Sequence, residues 1–307
     1  MLYPDFNDLV ALKNLKLDFA QRTSRSSQSV VLGGQHSPFR GQGLEFDSVR
    51  EYVLGDDIRN IDWRVTARTD SPHLKIFKEE RERHIVLCVD MNATMRFGTR
   101  NTFKSVQAAR ITALLGWQGM AHQDRVSACL FGDVPDGIEY FAPKRGRKSF
   151  SYLLKRLCEP EMESRHISFE RVFQHISKTA HTGSLVYFIS DFMGIGKDFQ
   201  QEAISLRALS RLNKRCDAVF IAVNDPADKT LYPVGTLGFC SLNNEKIIIN
   251  TDSIAGREAY ELQWKENRQQ LHGIASRFKI PLIELTTQSD IRRDLVIGLK
   301  SIARGRR

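Results

Sequence analysis

Cysteines are scarce in this sequence, and their spacing argues against two common ways of stabilising a fold. The five cysteines are an odd number, and no two of them form a C-x-x-C pair. Disulfide frameworks and structural zinc sites both use paired cysteines, so the sequence predicts neither. The eight histidines show no H-E-x-x-H spacing, so a histidine-based metal site is not predicted either.

Long apolar runs are also missing. Runs such as Ile85–Val89, Leu185–Ile189 and Val219–Val223 fall far short of the ~20 residues that a membrane-spanning helix needs. The opening segment MLYPDFNDLV has two acidic residues and no continuous apolar core, so a signal peptide is not expected. The composition, with 41% hydrophobic and 26% charged residues, is typical of a globular protein. We therefore expect a cytosolic protein without a membrane span.

Positive charge is in excess, but dense basic patches are few. The 45 Lys and Arg residues against 36 Asp and Glu residues give a net charge of +9. The two dense patches, Lys144–Lys148 and Arg304–Arg307, contain no aromatic residues, and no recognition-helix or ribonucleoprotein motif is present. Nucleic-acid binding is therefore disfavoured; if it occurs, its affinity should fall steeply with salt. We expect these cations to meet an acidic protein surface instead.

Strand-like and helix-like segments alternate from residue 84 onward. Continuous apolar runs predict strands buried on both faces, and the segments between them have helical patterns. Repeated βα units of this kind predict an α/β fold with a doubly wound, mostly parallel sheet covered by helices on both faces. The predicted strands are His84–Asp90, Arg125–Phe131, Gly137–Ala142, Ser184–Ser190, Asp217–Val223 and Pro281–Leu285.

Two parts of the chain break this alternation. Residues 1–83 are predicted to form an N-terminal extension to the α/β domain of residues 84–307, with a short helix at Asn7–Phe19 and a strand at Leu74–Phe77. Residues 226–253 contain two prolines and two glycines and then the apolar run Lys246–Asn250. This pattern predicts a β-hairpin insertion.

Oxygen-bearing side chains follow two of the predicted strands. Asp90 and Asp191 each end a strongly apolar strand, and ligands of doubly wound sheets bind outside the carboxyl ends of the strands. Asp90, Asn92 and Thr94 offer oxygens at alternate positions, which suits a hard divalent cation such as Mg²⁺ or Mn²⁺. Asx and Thr residues after a strand also commonly cap the next turn, so both interpretations stand.

The glycines after Asp191 do not form a phosphate-binding loop. The segment Gly194–Lys197 follows a strand, but G-x-x-x-x-G-K-[ST] would need a glycine at Asp191 and a hydroxyl residue at Asp198. A nucleotide-hydrolysing site is therefore not predicted here.

Charged and aromatic residues are concentrated between residues 43 and 68. Forked arginine–carboxylate pairs suit a network that pins the extension to the core, and this is the favoured interpretation over catalysis by paired carboxylates. No nucleophile–base–orienter set is evident in the sequence. The candidate network residues are Arg50, Tyr52, Asp56, Asp57, Arg59, Asp62, Trp63 and Arg68.

Two long segments carry a family resemblance. The run GQGLEFDSVREYVLGDDIRNIDWRVTAR, followed by KIFKEERERHIVLCVDMNATMRFG, resembles the family called domain of unknown function 58. These are bacterial proteins built on a von Willebrand factor A domain and often found beside MoxR-type AAA+ ATPases. The resemblance runs from about Arg40 to the end of the chain, and the GDD-x-R-x-IDW block is its most specific part.

The resemblance implies a von Willebrand factor A-like fold with a metal-ion-dependent adhesion site, normally D-x-S-x-S plus a Thr and a later Asp. Asp90 matches the first Asp, Asn92 and Thr94 stand at the two serine positions, and Asp191 matches the later Asp. No Thr stands at the middle position, where Ser168 is the nearest hydroxyl. The motif is degenerate, and Mg²⁺ or Mn²⁺ is the implied ion.

The resemblance also implies the function. The leading hypothesis is a non-enzymatic, chaperone-like adaptor that works with a MoxR-type AAA+ ATPase on a protein client, in maturation or complex assembly. An ion at the adhesion site would leave one coordination position for a partner's carboxylate. The alternative hypothesis is a metal-dependent hydrolase that uses Asp90 and Asp191, helped by carboxylates such as Asp56 or Asp62.

Overall fold

A computed structural model describes residues 3–15, 44–54, 56–79, 83–144, 146–159, 167–196, 203–240 and 246–305. The chain divides into two units, one formed by Met1–Ser24 with Arg83–Arg307 and one by Arg25–Glu82. The first is called the α/β unit here and the second the small unit. This division differs from the predicted extension of residues 1–83, because the N-terminal helix belongs with the α/β unit.

The strands and helices are numbered along the chain. The strands are β1 (Leu44–Glu51), β2 (His73–Glu79), β3 (His84–Asp90), β4 (Arg125–Phe131), β5 (Ile138–Lys144), β6 (Leu185–Ser190), β7 (Asp217–Asn224), β8 (Thr236–Cys240), β9 (Lys246–Asn250) and β10 (Leu282–Thr286). The helices are α1 (Phe6–Ala11), α2 (Trp63–Thr69), α3 (Lys104–Ala121), α4 (Arg147–Leu157), α5 (Phe169–Thr179), α6 (Ala203–Arg215), α7 (Pro226–Lys229), α8 (Ile254–Phe278) and α9 (Ile291–Gly305). Within the described residues, none of these helices is both long and apolar enough to cross a membrane.

The centre of the α/β unit is a six-stranded sheet with the order β10-β7-β6-β3-β4-β5. Neighbouring strands are parallel except for β4 and β5, which are antiparallel. The prediction of a mostly parallel sheet is therefore confirmed. The chain moves from β3 to β4 and β5, and then returns to the other side of β3 to form β6. Strand order thus reverses between β3 and β6, which is where doubly wound sheets bind ligands.

Each face of this sheet carries its own hydrophobic core. Every residue of β3 is buried, and its successive side chains point to opposite faces. Ile85, Leu87 and Val89 pack in a cluster with residues of α3, α4 and α9. Val86 and Cys88 pack in a second cluster with residues of α5, α6 and α8. Burial on both faces explains why the strand sequence is a continuous apolar run rather than an alternating one.

The N-terminal helix α1 packs into the first of these cores. Leu9 is buried within that cluster, and Trp117 Nε1 on α3 donates a hydrogen bond to the Leu9 carbonyl at 2.9 Å. These contacts tie the start of the chain to the α/β unit. The helix is shorter than predicted, ending at Ala11 before a 3₁₀ turn at Leu12–Asn14; residues 16–19 of the prediction lie outside the described part.

The insertion predicted at residues 226–253 contains an antiparallel strand pair. Strands β8 and β9 pair with Thr236 opposite Asn250, as the two strands of a hairpin would; the residues that connect them lie outside the described part. The segment also contains the short helix α7, which the sequence analysis did not foresee. Asp225 accepts a hydrogen bond from Ala227 N, and Asp228 accepts one from Asp225 N, which together form a capping box.

In the small unit, β1 and β2 form an antiparallel pair, and the predicted strand Leu74–Phe77 lies within β2. Between them, Asp62 accepts hydrogen bonds from the backbone nitrogens of Arg64 and Val65 and so caps α2. The helix ends at Asp70, which adopts a left-handed conformation with φ 55°, as C-terminal caps often do.

Low pH should weaken the fold through His84, the first residue of β3. Its ring is buried against His181, with centroids 4.9 Å apart, and Ser184 Oγ lies 3.3 Å from its Nδ1. Burial, with the nearby charges of His181 and Arg125, lowers the pKa of His84 to about 4, below the unfolded value of ~6.5. The unfolded chain therefore takes up a proton first, so stability present above pH ~6.5 is lost as pH falls towards 4, by roughly 1–3 kcal/mol.

Urea unfolding of the wild type and of His84→Gln between pH 7.5 and 4.5 measures this effect. We expect the wild type to lose stability faster than the variant as pH falls, because only the wild type carries the titrating ring. Parallel pH profiles for the two proteins would show that His84 does not carry the effect.

Candidate functional site

The carboxyl edge of the sheet brings Asp90 and Asp191 together, as their positions at strand ends predict. Asp90 ends β3 and Asp191 follows β6, and both are buried. Ser190 Oγ donates a hydrogen bond to Asp90 Oδ2 at 2.5 Å, which connects the ends of the two strands. The edge lies where strand order reverses, so it is the candidate functional site.

Both oxygens of the Asp90 carboxyl group accept hydrogen bonds from neighbouring residues. Oδ1 accepts from Asn92 N at 2.8 Å and from Asn92 Nδ2 at 2.7 Å, while Oδ2 accepts from Ser190. Burial and the negative charge of Asp191 raise the pKa of Asp90 to about 7, although these hydrogen bonds oppose the shift. Thr94 lies half-buried in the 3₁₀ turn Ala93–Met95 that follows.

A buried ammonium group lies against Asp191. Lys104, the first residue of α3, is 2% exposed, and its Nζ donates to Asp191 Oδ2 at 2.8 Å. The same Nζ lies 3.2 Å from each carboxylate oxygen of Asp228. Burial alone would raise the pKa of Asp191, but the charge and hydrogen bond of Lys104 hold it below its ordinary value. Burial would lower the pKa of Lys104, and the two carboxylates raise it instead.

Asp225 joins three segments of the same edge. Its carboxylate accepts hydrogen bonds from Thr99 N and Oγ1 at 3.0 and 2.6 Å, and from Thr287 Oγ1 at 2.6 Å. Thr99 precedes α3, and Thr287 follows β10. Burial would raise the pKa of Asp225, but these hydrogen bonds lower it. The end of β7 is thus tied to the entry of α3 and to the neighbouring strand.

A second buried cation, Arg268 on α8, contacts the backbone of Asp191. Its Nη2 donates a hydrogen bond to the Asp191 carbonyl, and its guanidinium lies 5.9 Å from the centre of the Trp264 ring. Burial lowers the pKa of Arg268, against the charges of Asp191 and other acidic groups. Within the described residues, its Nε and Nη1 have no hydrogen-bond partner.

Ser168, the hydroxyl that the resemblance places nearest the middle position of the motif, lies immediately before α5. It is the N-cap of α5, and its Oγ accepts a hydrogen bond from Arg171 N at 3.4 Å. A serine hydroxyl in this position satisfies one of the free backbone N–H groups of the first helical turn. Capping is therefore sufficient to explain Ser168.

The donor groups at this edge do not fit the divalent cation that the resemblance implies. Asn92 turns its NH₂ group towards Asp90 rather than its oxygen, and the ammonium of Lys104 lies on Asp191. Across the described ranges, no group of three or more His, Cys, Asp or Glu side chains is arranged to hold a metal ion. Binding of Mg²⁺ or Mn²⁺ by Asp90, Asn92, Thr94, Ser168 and Asp191 stays a prediction that these contacts do not favour.

The candidate network of the small unit is largely a set of turn and helix caps. Arg50 Nη2 and Asp56 Oδ1 form an ion pair at 2.7 Å, and Asp56 Oδ2 accepts a hydrogen bond from Val53 N at 2.9 Å. Asp57 Oδ1 accepts from Arg59 N at 3.0 Å, and Asp62 caps α2 and lies 3.7 Å from Lys75 Nζ.

The other three members of that network contribute in different ways. Tyr52 donates its backbone N–H to the Pro72 carbonyl at 2.8 Å, Trp63 is largely exposed, and Arg68 lies in the last turn of α2. One predicted arginine–carboxylate pair, Arg50–Asp56, is therefore present. The predicted pinning of the extension to the core stays a prediction.

Several residues at the sheet edge were missed by the sequence analysis. The capping-box spacing of Asp225 and Asp228 after an apolar strand was a usable signal. Lys104 offered a weaker one, because a cation in the first turn of a helix opposes the helix dipole and so suggests a specific acidic partner. No local sequence pattern predicts that Thr99, Thr287 and Arg268 lie at this edge. The missed residues are Thr99, Lys104, Asp225, Asp228, Arg268 and Thr287.

A protein family, two curated proteins and one solved structure are similar to this chain. The family model described as "Protein of unknown function DUF58" matches residues 48–270, which include parts of both units. Similar curated proteins are uncharacterized protein Mb1516 of Mycobacterium bovis and uncharacterized protein Rv1480 of Mycobacterium tuberculosis, each 26% identical over 313 residues that cover 99% of this chain and 94% of the relative. A solved structure, conserved hypothetical protein BatB from Bacteroides thetaiotaomicron, matches with a TM-score of 0.44 and 13% identity over 72% of this chain and 99% of that chain.

Proposed function

This chain belongs to the family of proteins of unknown function DUF58, and we propose that it is a non-enzymatic cytosolic adaptor. In this proposal its α/β unit is a von Willebrand factor A-like domain. It works with a MoxR-type AAA+ ATPase, which supplies nucleotide-driven force, and it presents a protein client for maturation or complex assembly. An adaptor needs a surface that binds a partner, and one stretch of the small unit has the required character.

The observation that carries this proposal is a set of exposed apolar side chains in the GDD-x-R-x-IDW block and in the two residues just before it. Leu54 is 96% exposed and Trp63 is 67% exposed, and Val53 and Ile58 are also largely exposed. Exposed apolar groups in one segment, surrounded by charged residues, are typical of protein-binding sites. Aromatic residues such as tryptophan often contribute most of the binding energy at such sites. We call Val53, Leu54, Ile58 and Trp63 the apolar patch.

Local hydrogen bonds hold the apolar patch in place. Asp56 accepts from Val53 N and pairs with Arg50, and Asp56 N donates to the Val53 carbonyl at 3.0 Å. Asp62 fixes the start of α2, where Trp63 is the first residue. A surface that is already ordered loses less conformational entropy on binding, which favours affinity. The carboxylates of this block therefore support a binding surface rather than catalysis.

The sheet edge gives less support to the alternative of a metal-dependent hydrolase. The carboxylates that this hypothesis uses, Asp90 and Asp191, are buried and accept hydrogen bonds from their own neighbours. Hydrolysis needs a carboxylate or ion that can reach the substrate and an activated water. The hydrolase hypothesis predicts turnover of phosphoesters or peptides by the isolated protein, abolished by Asp191→Ala.

Serine substitution of the apolar patch should weaken partner binding. We expect Leu54→Ser with Trp63→Ser to lower affinity for a MoxR-type ATPase by at least ~10-fold, because a buried aromatic anchor contributes roughly 2 kcal/mol or more. Calorimetric titration with ATP present measures the affinity, and the melting temperature should be unchanged because both side chains are exposed.

The matched control is Ile248→Ser, which removes an exposed apolar side chain from β9 in the α/β unit. It should bind like the wild type. Equal loss in the control and in the double variant would contradict the assignment of binding to the apolar patch. Undiminished binding by the double variant would contradict it as well.

A further inference from the structure

We infer that the Lys104 ammonium serves as the built-in cation of this sheet edge, in the place that an oxygen-ligated divalent ion would otherwise take, so that the wild-type protein binds no metal there. This inference concerns the α/β unit alone and does not depend on the partner proposed above. It rests on three independent features of the edge: the position of Lys104, the use of the carboxylate oxygens, and the orientation of Asn92.

The position of Lys104 is that of a central ion. Its Nζ contacts Asp191 Oδ2 at 2.8 Å and both oxygens of Asp228 at 3.2 Å, so one positive group is shared by the carboxylate that follows β6 and a carboxylate of α7. The face of the Phe97 ring lies 5.5 Å away. The side chain is 2% exposed, so the ammonium is held by these groups and not by solvent. One N–H of the ammonium is directed to Asp191 and a second is shared between the two oxygens of Asp228.

Both carboxylates also accept backbone hydrogen bonds. Asp191 Oδ1 accepts from Met193 N at 2.9 Å, and Asp228 Oδ2 accepts from Asp225 N at 2.7 Å. A divalent ion on Asp191 would have to displace the ammonium or lie beside it. Two like charges in contact repel strongly inside a protein, where the effective dielectric constant is low. Displacing the ammonium would leave it buried without its acidic partners, which is also unfavourable.

The orientation of Asn92 does not suit an ion on Asp90. Its Nδ2 donates to Asp90 Oδ1 at 2.7 Å, whereas a metal ligand would present its Oδ1 towards the ion. The Oδ1 atom is directed towards Gly132, where an added Cβ would lie 2.6 Å from it. Asn92 therefore acts as a hydrogen-bond donor that orders the turn after β3.

A tethered cation has a consequence that a bound ion does not. The edge keeps its charge balance at any Mg²⁺ concentration, because the ammonium is part of the chain. The stability of this edge is then independent of metal, in contrast to a site that an ion must complete.

Metal-dependent melting of three proteins tests the inference. Each is treated with EDTA, dialysed, and melted with and without MnCl₂ or MgCl₂. Lys104→Ala removes the ammonium and opens space beside Asp191 and Asp228, whereas Lys104→Met removes the charge but keeps the space filled. We expect no metal-dependent shift for the wild type or Lys104→Met. For Lys104→Ala we expect a rise of roughly 3–6 °C at about ten times the dissociation constant of the metal.

Each result decides the inference in one direction. The inference is supported if metal raises the melting temperature of Lys104→Ala and if this rise disappears when Asp191→Asn is added. A wild-type shift that Asp191→Asn abolishes overturns it, because the native edge then holds a metal. No shift in any protein also overturns it, since the ammonium then does not stand in an ion's place. If Lys104→Ala folds only when metal is present, circular dichroism during a Mn²⁺ titration measures the metal-dependent folding of the variant. Calorimetric titration of the wild type with Mn²⁺ then tests whether the native edge binds metal.

Discussion

Lys104→Met is expected to lower the free energy of unfolding by about 3–5 kcal/mol, the usual range for removing one partner of a buried ion pair. The methionine fills a similar volume, so the loss comes from electrostatics rather than from a cavity. Asp191 and Asp228 would be left buried without the cation that holds them. Urea unfolding monitored by circular dichroism measures the change at neutral pH, where both carboxylates must either stay charged or take up a proton at a cost.

Two further measurements separate this electrostatic effect from a general one. Lys265→Met removes an exposed lysine paired with Glu261 at 2.9 Å on α8, and a surface pair of this kind contributes ~0–1 kcal/mol. Adding Asp191→Asn and Asp228→Asn to Lys104→Met should restore part of the lost stability, because the unpaired charges are then removed. Additive losses in the triple variant would contradict the assigned ion pairs.

Gly132→Ala should lower the free energy of unfolding by roughly 2–4 kcal/mol, through backbone strain and overpacking together. Gly132 follows β4 with φ +107°, and an added Cβ would lie 2.6 Å from Asn92 Oδ1 and 2.7 Å from Asn92 N. Asn92 cannot move away freely, because its N and Nδ2 both donate to Asp90. The substitution therefore disturbs the turn after β3 as well as its own position.

Gly183→Ala is the matched control for this effect. Gly183 has φ +85°, but nothing lies within 4 Å of an added Cβ, so only the backbone conformation is penalised, by about 1 kcal/mol. Chemical denaturation of both variants gives the difference, which measures the steric contact with Asn92. Equal losses in the two variants would show that close packing against Asn92 does not constrain Gly132.

Two acidic residues of the sheet edge could be predicted from the sequence. Asp90 and Asp191 were found because each ends an apolar strand, and parallel strands place their carboxyl ends at one edge. The same reasoning left capping and metal binding open for Asn92 and Thr94, since both roles use a short polar side chain after a strand. Ser168 was named only through the family resemblance, and the structure shows it as the N-cap of α5.

The contacts of Lys104 and Gln107 at this edge could not be predicted, because their partners are distant in the sequence. Lys104 and Asp228 are 124 residues apart, and Gln107 donates to the Thr287 carbonyl across 180 residues. Nothing near Lys104 in the sequence indicates which acidic residues it meets. Their proximity depends on β6 lying beside β3 and β7 lying beside β6, which is a property of the strand order.

The sequence by itself determined the apolar strands, the helices between them, the mostly parallel sheet and the two carboxylates at its edge. These follow from hydrophobic periodicity, which depends only on residues that are close together in the sequence. Only the tertiary structure decided that the N-terminal helix joins the α/β unit, that Ser168 is a helix cap, and that an ammonium group lies between Asp191 and Asp228. The physical reason is that local patterns determine which side chains are buried, whereas the order of the strands determines which buried charges meet.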